Sequence, residues 1–392
     1  MRSTSLLFIL LGTLFTAGGY GGTFLISAWF RAQGGSDIDT GNALSMALVG
    51  TLMGVPLVGW CAGRIDAARL AAVAALVLAA GYVLLGNLPG LNPDYLPRVA
   101  TLLMGLGWGM FYLAAPLALS ERLTDAERGS GFTLFSAFQM TGICGSPVLL
   151  GAGMVYAGLS LQTTFLCVAA MGGVACLLLL IFGSREPRPG AERALRPWMR
   201  KLPALVAGAA LRPVMMVGLG GAVFSGMMAF QVSLTAGTHA SAGTFFTVHA
   251  VTAVVARLLL VRRLPGWPRL PLMVGLLGCL IAGLICLLGL AIHPAFQIAA
   301  GMLTGAGYGL LYPVIQTWAV NDSAPADRHA ALTWFVVSYF VGIFGFPVFG
   351  GWLLVTAGKN AFVWSLVLLA LLELVVAVVR KPRPGRMLTL SD

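Results

Sequence analysis

The chain has 392 residues, of which 58% are apolar and 9% charged, with a mean hydropathy of +0.91. Soluble globular chains carry about a quarter of charged residues, so a water-facing enzyme or binding module is excluded and a lipid bilayer becomes the main solvent. The formal charge of +11 is spread over short loops, which argues for orientation beside anionic headgroups and against nucleic acid as a partner.

A membrane crossing needs about 20 consecutive apolar residues, with every backbone polar group satisfied inside its own helix. In chain order the apolar runs are 5–29, 43–62, 70–85, 99–118, 132–156 and 164–182, then 214–234, 244–260, 272–292, 295–319, 331–355 and 361–379. These runs predict an all-α membrane protein of twelve transmembrane helices in two six-helix bundles. The first run follows Arg2 as a signal peptide would, but it is too long and lacks a small-x-small cleavage site. It reads as a retained first helix. The domains expected are residues 1–183 as the N-terminal bundle, 184–210 as a cytoplasmic linker rich in Arg, Pro and Glu, and 211–392 as the C-terminal bundle with a short cytoplasmic tail.

Segments on one side of these runs hold 21 of the 24 Lys and Arg residues, and only Arg31, Arg98 and Lys359 fall on the other. The positive-inside rule then places both termini and the linker in the cytoplasm of a multi-pass protein of a bacterial inner membrane. The six cysteines lie in or at the ends of runs, without metal-ligand spacing. They read as packing residues. No metal site or cofactor is expected, and no Walker loop or nucleophile–base pair suggests catalysis.

Residues 103–151 laid over 303–351 without a gap give 15 identities in 49 positions. Gly105, Gly107, Gly109 and Tyr112 match Gly305, Gly307, Gly309 and Tyr312; Gly142, Gly145, Pro147 and Gly151 match Gly342, Gly345, Pro347 and Gly351. Glycine at such spacing lets helix backbones approach, and proline beside glycine lets a helix bend. A repeat about an axis along the membrane normal puts runs 4 and 10, and 5 and 11, at matching places around a central path. Gly142, Pro147, Gly342 and Pro347 are therefore expected to serve conformational change.

With these residues the chain resembles the major facilitator superfamily over nearly its whole length. Run 5 is similar to the antiporter pattern G-x-x-x-G-P-x-x-G-G, reading Gly142, Ile143, Cys144, Gly145, Ser146, Pro147, Val148, Leu149, Leu150, Gly151, with Ser146 and Leu150 in place of two glycines. The loop after run 2 resembles G-x-L-A-D-R-x-G-R-R through Gly59, Trp60, Cys61, Ala62, Gly63, Arg64, Ile65, Asp66. The family's aspartate position is Gly63, so the resemblance implies that Asp66 or the arginines make the gating contact, and Gly59, Arg64 and Asp66 are carried as gating residues. Within the family, residues 243–273 and 128–147 are similar to the branch that exports opine-type metallophores such as staphylopine. That likeness implies a small, carboxylate-rich chelator moved outward by a secondary transporter.

Ionisable groups at membrane depth are costly and so become candidates by default. The runs hold one acid well inside, Glu373, one histidine, His249, and arginines at run ends, Arg98 and Arg257. A guanidinium can clamp a carboxylate bidentately; Arg98 reads equally as an interfacial arginine reaching headgroups, and Arg257 as part of the cluster with Arg262 and Arg263. His249 reads as a substrate or proton group, or as a buried histidine bonded to backbone. Glu373 lies in a helix that the family places at the periphery, and reads as a proton site or as a snorkelling acid turned to Arg380. Tyr20, Trp108, Tyr112, Gln139, Gln231, Tyr308, Tyr312, Gln316 and Tyr339 complete the expected substrate path, with Tyr112 and Tyr312 favoured because they stand on repeat-matched helices.

The function expected is alternating-access export of a small carboxylate-bearing metabolite such as a metallophore or siderophore. The alternatives are efflux of drugs or other amphipathic compounds, uptake of an organic acid, sugar or metal chelate, and a non-transporting membrane sensor or scaffold. The partners expected are the small-molecule substrate, membrane lipid and protons as coupling ion, with the protein acting as a monomer.

Overall fold

The structure is a computed structural model and describes residues 3–61, 64–88, 90, 94–123, 125–185, 208, 210–260, 267–323 and 328–379. No strand occurs among them, and the helices fall in twelve units. The first, α1, runs Ser3–Gly22 and continues through a tight turn as Ile26–Ala32. Next come α2 (Asp37–Cys61), α3 (Ala67–Asn87), α4 (Tyr95–Ser120), α5 (Asp125–Tyr156) and α6 (Leu161–Arg185). The second set is α7 (Leu211–Ala229, continued by Gln231–Thr235), α8 (Ala242–Leu260), α9 (Arg269–Cys286), α10 (Ala295–Asn321), α11 (Arg328–Phe340 with its continuation Phe346–Thr356) and α12 (Gly358–Val378). Eleven are long and apolar enough to cross a bilayer, and α8 supplies a shorter apolar segment, Ala242–Arg257. The linker and the C-terminal tail, with Arg262, Arg263 and Arg380, lie mostly or wholly outside the described residues.

Local chemistry sets where helices start and turn. Ser36 and Asp39 form a reciprocal capping box: the Ser36 amide donates to Asp39 Oδ2 at 2.8 Å, and the Asp39 amide donates to Ser36 Oγ at 3.4 Å. This box starts α2 at Asp37, six residues before the apolar run begins. The turns closing α1–α2, α5–α6, α7–α8 and α11–α12 carry the positive-φ glycines Gly34, Gly158, Gly237 and Gly358, a conformation that costs other residues Cβ strain. All four turns lie on one side, here termed the far side; the termini end on the opposite, terminus side.

Packing follows the repeat. In the first set α4 lies against α2 and α3, and α1 against α5 and α6; in the second α10 lies against α8 and α9, and α7 against α11 and α12. The matched glycines sit at these crossings. A Cβ on Gly105 would stand 1.9 Å from the Ala47 carbonyl oxygen, and one on Gly305 would stand 2.6 Å from that of His249. The same holds for Gly142 at 2.3 Å from Leu14 O and Gly342 at 2.0 Å from Gly218 O. At these four matched glycines two helix backbones touch.

The two sets meet where α2 lies against α11 and α5 against α8. At the far side the α2–α11 seam is closed backbone to backbone: a Cβ on Gly41 would reach 2.3 Å from Pro347 O, and one on Gly351 2.1 Å from Asp37 O. Gly145 and Gly151 of α5 have nothing within 4 Å, so the matched seam is looser there. The matched prolines also differ. Pro147 lies within continuous α-helix, whereas a π-helical turn, Val341–Gly345, precedes Pro347; such turns are local wide points of a helix.

Candidate functional site

The centre of the molecule is built from α1, α4, α7, α10 and α11, whose middle turns carry aromatic rings. Tyr20 of α1 stacks on Trp108 of α4 with centroids 4.5 Å apart and planes 8° from parallel. In the second set Phe224 of α7 stacks on Tyr308 of α10, also at 4.5 Å and 11°. Trp108 and Tyr308 are repeat mates, so one stacked pair occurs twice about the axis. Each gains the offset-stacking preference of aromatic rings, about 0.5–1.5 kcal/mol beyond area burial.

One turn toward the termini, the hydroxyls of Tyr112 and Tyr312 hydrogen-bond to each other. Tyr339 of α11 packs 5.1 Å from Tyr312 and 6.3 Å from Tyr112, and Phe340 packs 5.1 Å from Tyr112. Arg257 stands beside this layer. Its Nε donates to the Gly309 carbonyl oxygen at 2.7 Å, and its charge lies within electrostatic reach of Tyr308, Tyr312 and Tyr339. No protein partner holds its terminal nitrogens among the described residues, and the side chain is half-buried.

Exposure gives the layer a direction. Tyr112, Tyr312, Arg257, Gln139 and Gln316 are each partly exposed, whereas Tyr20, Trp108, Phe224, Tyr308 and Gln231 are buried. The central layer is therefore reached from the terminus side and sealed toward the far side. The seal contains polar atoms with no hydrogen-bond partner: the Tyr20 hydroxyl, Trp108 Nε1, Trp29 Nε1, Ser27 Oγ and both amide atoms of Gln231. Buried polar groups are normally paired. A row of unpaired ones along a seam between halves marks surface that gains water or ligand when the seam opens.

At the far end of the seal lies a group the sequence reading passed over. Asp37, buried at the first turn of α2, accepts from Arg31 at 3.0 Å and from Ser233 Oγ at 2.5 Å. The second bond joins the two halves. Asp37 precedes run 2 and is not among the sequence candidates; the capping signal of Ser36 and Asp39 is what places it on the helix.

The remaining candidates take other positions. Arg98 pairs with Asp94 at 3.2 Å on the exposed rim, with its side chain 49% exposed, and does not join the central layer. His249 is buried among Phe224 and Phe245 with Nδ1 3.0 Å from Thr304 Oγ1, inside the second half. Its partner is a side chain and not the backbone. Glu373 does not turn outward: its carboxyl is fully buried, with no partner for either oxygen among the described residues, at a small cavity lined by Tyr308 and Tyr312. Gly59 is half-buried near the end of α2, and Arg64 is exposed over the Trp60 ring.

Asp66 caps α3 and accepts both contacts of Arg122 Nη2, at 2.8 and 3.0 Å. This contact stays within the first half, at the end of α4. Its counterpart in the second half is inverted in charge: Arg269 at the start of α9 pairs with Asp322 at the end of α10, at 3.1 Å. Each arginine also lies over a ring, Phe182 for Arg122 and Trp318 for Arg269. Among the described residues no group of three or more His, Cys, Asp or Glu could hold a metal ion.

A family model described as Major Facilitator Superfamily matches residues 7–287. No curated protein matches the chain. Among solved structures, the chain is similar to a D-xylose–proton symporter at 17% identity and TM-score 0.74, covering 97% of this chain and 98% of that one. It is also similar to a mutant of the nucleoside transporter NupG (13%, TM-score 0.75, covering 95% and 98%) and to a mutant POT peptide transporter in complex with sulfate (15%, TM-score 0.71, covering 95% and 94%). At these identities the likeness is one of fold.

Proposed function

The chain belongs to the major facilitator superfamily and is a secondary transporter, and from that premise we propose that it exports a small carboxylate-bearing metabolite by alternating access. The observation that carries the substrate class is Arg257. Its guanidinium is fixed through Nε to Gly309 O, while its terminal nitrogens, beside the partly exposed tyrosine layer, have no protein partner among the described residues. A planar cation so held suits a carboxylate, which two parallel N–H donors bind in one plane. Tyr112 and Tyr312 supply neutral hydrogen-bonding groups beside it, and the partly exposed Gln139 and Gln316 are carried as further polar groups for a chelator of the metallophore or siderophore kind. The similar structures are named for peptide, nucleoside and xylose, so the scaffold leaves cargo open and the choice rests on this site.

Direction follows from charge. With the termini in the cytoplasm of a bacterial inner membrane, as the basic residues favour, the sealed far side is external and the layer is loaded from inside. An anion leaving the cell gains about 2.3 kcal/mol per charge from a potential of 100 mV. The protein works as a monomer in this reading, since one chain supplies the whole path.

Mass spectrometry of medium and cytosol from cells with and without the protein tests the proposal. An anionic solute should accumulate inside when the protein is absent; a cationic solute, or one depleted inside, overturns it. Arg257→Gln should reproduce the loss, because a charge-assisted bond contributes about 1.5–3 kcal/mol, roughly ten- to hundredfold in affinity. Arg257→Lys should not restore it, since an ammonium lacks the Nε that anchors the group.

A further inference from the structure

Glu373 is the one acid in the described helices with both carboxyl oxygens buried and unpartnered. It projects from α12 into a small cavity between α7, α10 and α12, lined by Val217, Gly220, Tyr308, Leu311, Tyr312 and Ile315. Gly220 makes room for it: a Cβ there would stand 3.2 Å from each carboxylate oxygen. No arginine, lysine or histidine lines the cavity. Among the described side chains, the helices packed on α12 bring no charge to the cavity lining: by sequence α7 has only Arg212 at its first turn, α9 has Arg269 at its first residue with Cys279 and Cys286, and α11 has Arg328 and His329 at its start and Tyr339. On α12 itself Lys359 is fourteen positions away, about 21 Å along the helix.

An ionised carboxylate in such surroundings costs several kcal/mol unless something neutralises it. A metal ion is a poor occupant, because hard cations take six or more oxygens and this lining is mostly aliphatic. A proton needs no further ligand. We propose that Glu373, with the cavity it shares with Tyr308 and Tyr312, is the site where this transporter takes up and releases the proton that drives its alternation. The inference rests on the reading of the chain as a secondary transporter and names its coupling ion.

The link to motion is Tyr312, which lines the cavity and also shares its hydroxyl with Tyr112 of the other half. With Glu373 protonated, the tyrosine layer is left to join the halves. When the proton leaves, the carboxylate requires a donor, and the side-chain donors lining the cavity are the hydroxyls of Tyr308 and Tyr312. A Tyr312 hydroxyl that donates to Glu373 keeps only its oxygen for Tyr112, so the junction then depends on the proton of Tyr112 alone. The charge on Glu373 thus bears on the junction between the halves through Tyr312.

The test uses the full-length protein in liposomes and protons as the probe, with no substrate. Hydrogen exchange of the far-side seam, residues 37–48 and 346–352, is measured at mildly acidic and mildly alkaline pH and corrected for intrinsic rate. Wild type should change protection with pH and Glu373→Gln should not. A pH response that survives in Glu373→Gln, or one lost instead in His249→Gln, overturns the proposal. An infrared difference spectrum of the wild type between the same two conditions gives a reading that needs no variant to fold. It should contain the carbonyl stretch of a protonated carboxylic acid, lost in alkali, and its absence overturns the proposal equally. Neither measurement involves cargo, so a wrong substrate class leaves both outcomes unchanged.

Discussion

Tyr112 and Tyr312, 200 positions apart, hydrogen-bond to one another through their own hydroxyls. Two repeat-related residues can touch each other only where the repeat axis passes between them, as at an isologous contact. The pair therefore marks the axis, and it joins the halves where the central layer is accessible. Each of Tyr112→Phe and Tyr312→Phe should weaken the junction by about 0.5–1.5 kcal/mol. The double variant should lose no more than either single one, since there is one bond to lose. Distances between spin labels on the two halves would report it; additive shifts would mean that the hydroxyls act separately.

Asp37 should hold the far side shut. Removing its carboxylate with Asp37→Ala breaks the bond to Ser233 and leaves Arg31 without its anion. About 1.5–3 kcal/mol of charge-assisted bonding is lost from the closed state. The expected outcome is faster labelling, by tenfold or more, of a cysteine placed at the far-side end of α11. Ser233→Ala should act in the same direction and more weakly. Unchanged labelling in both would assign the closure to the Gly41–Pro347 and Gly351–Asp37 backbone contacts instead.

The two terminus-side ion pairs carry a built-in control. Since Asp66–Arg122 and Arg269–Asp322 occupy matching places with charges exchanged, the site tolerates either order. Asp66→Ala should lower the melting temperature in detergent, because the Arg122 side chain is only 2% exposed and would keep Glu121, at 3.8 Å, in place of an anion at 2.8 Å, which weakens the compensation of a buried charge. The exchanged pair D66R/R122D should recover most of the loss. Failure to recover would show that the cap on α3, which needs the Asp66 carboxylate, outweighs the pair.

Glycines of the same repeat should differ in their tolerance. Gly105→Ala places a methyl 1.9 Å from the Ala47 carbonyl oxygen, and Gly342→Ala places one 2.0 Å from that of Gly218. Backbone on both sides must move, so folded yield should collapse. Gly145→Ala meets nothing within 4 Å and should fold normally, with a small gain from reduced helix-interior entropy loss. Equal yields of Gly105→Ala and Gly145→Ala would contradict the packing described.

Much of this was legible beforehand. The twelve runs, the match of residues 103–151 to 303–351 and the pairing of Tyr112 with Tyr312 on equivalent helices all follow from apolar length and an ungapped repeat. The repeat of the stacked pairs was not, because Tyr20 and Phe224 fall outside the aligned segment and differ in type. Nor was Arg257 separable from Arg98: both are arginines at run ends, and only packing shows one anchored at Gly309 and the other on the rim with Asp94. Asp37 was not among the candidates, and Glu373 stood both as a proton site and as a snorkelling acid, for a common reason. An acid near a helix end, or on an outer helix, has the same sequence signature whether it faces lipid, water or a neighbour.

By itself the sequence determined that the chain crosses a membrane twelve times and that its halves repeat, since bilayer thickness and backbone hydrogen bonding act on every residue of a run alike. The tertiary structure alone decided which polar groups meet. That choice depends on how each helix is rotated and where it crosses the next, and a glycine contact between residues far apart in the chain fixes both.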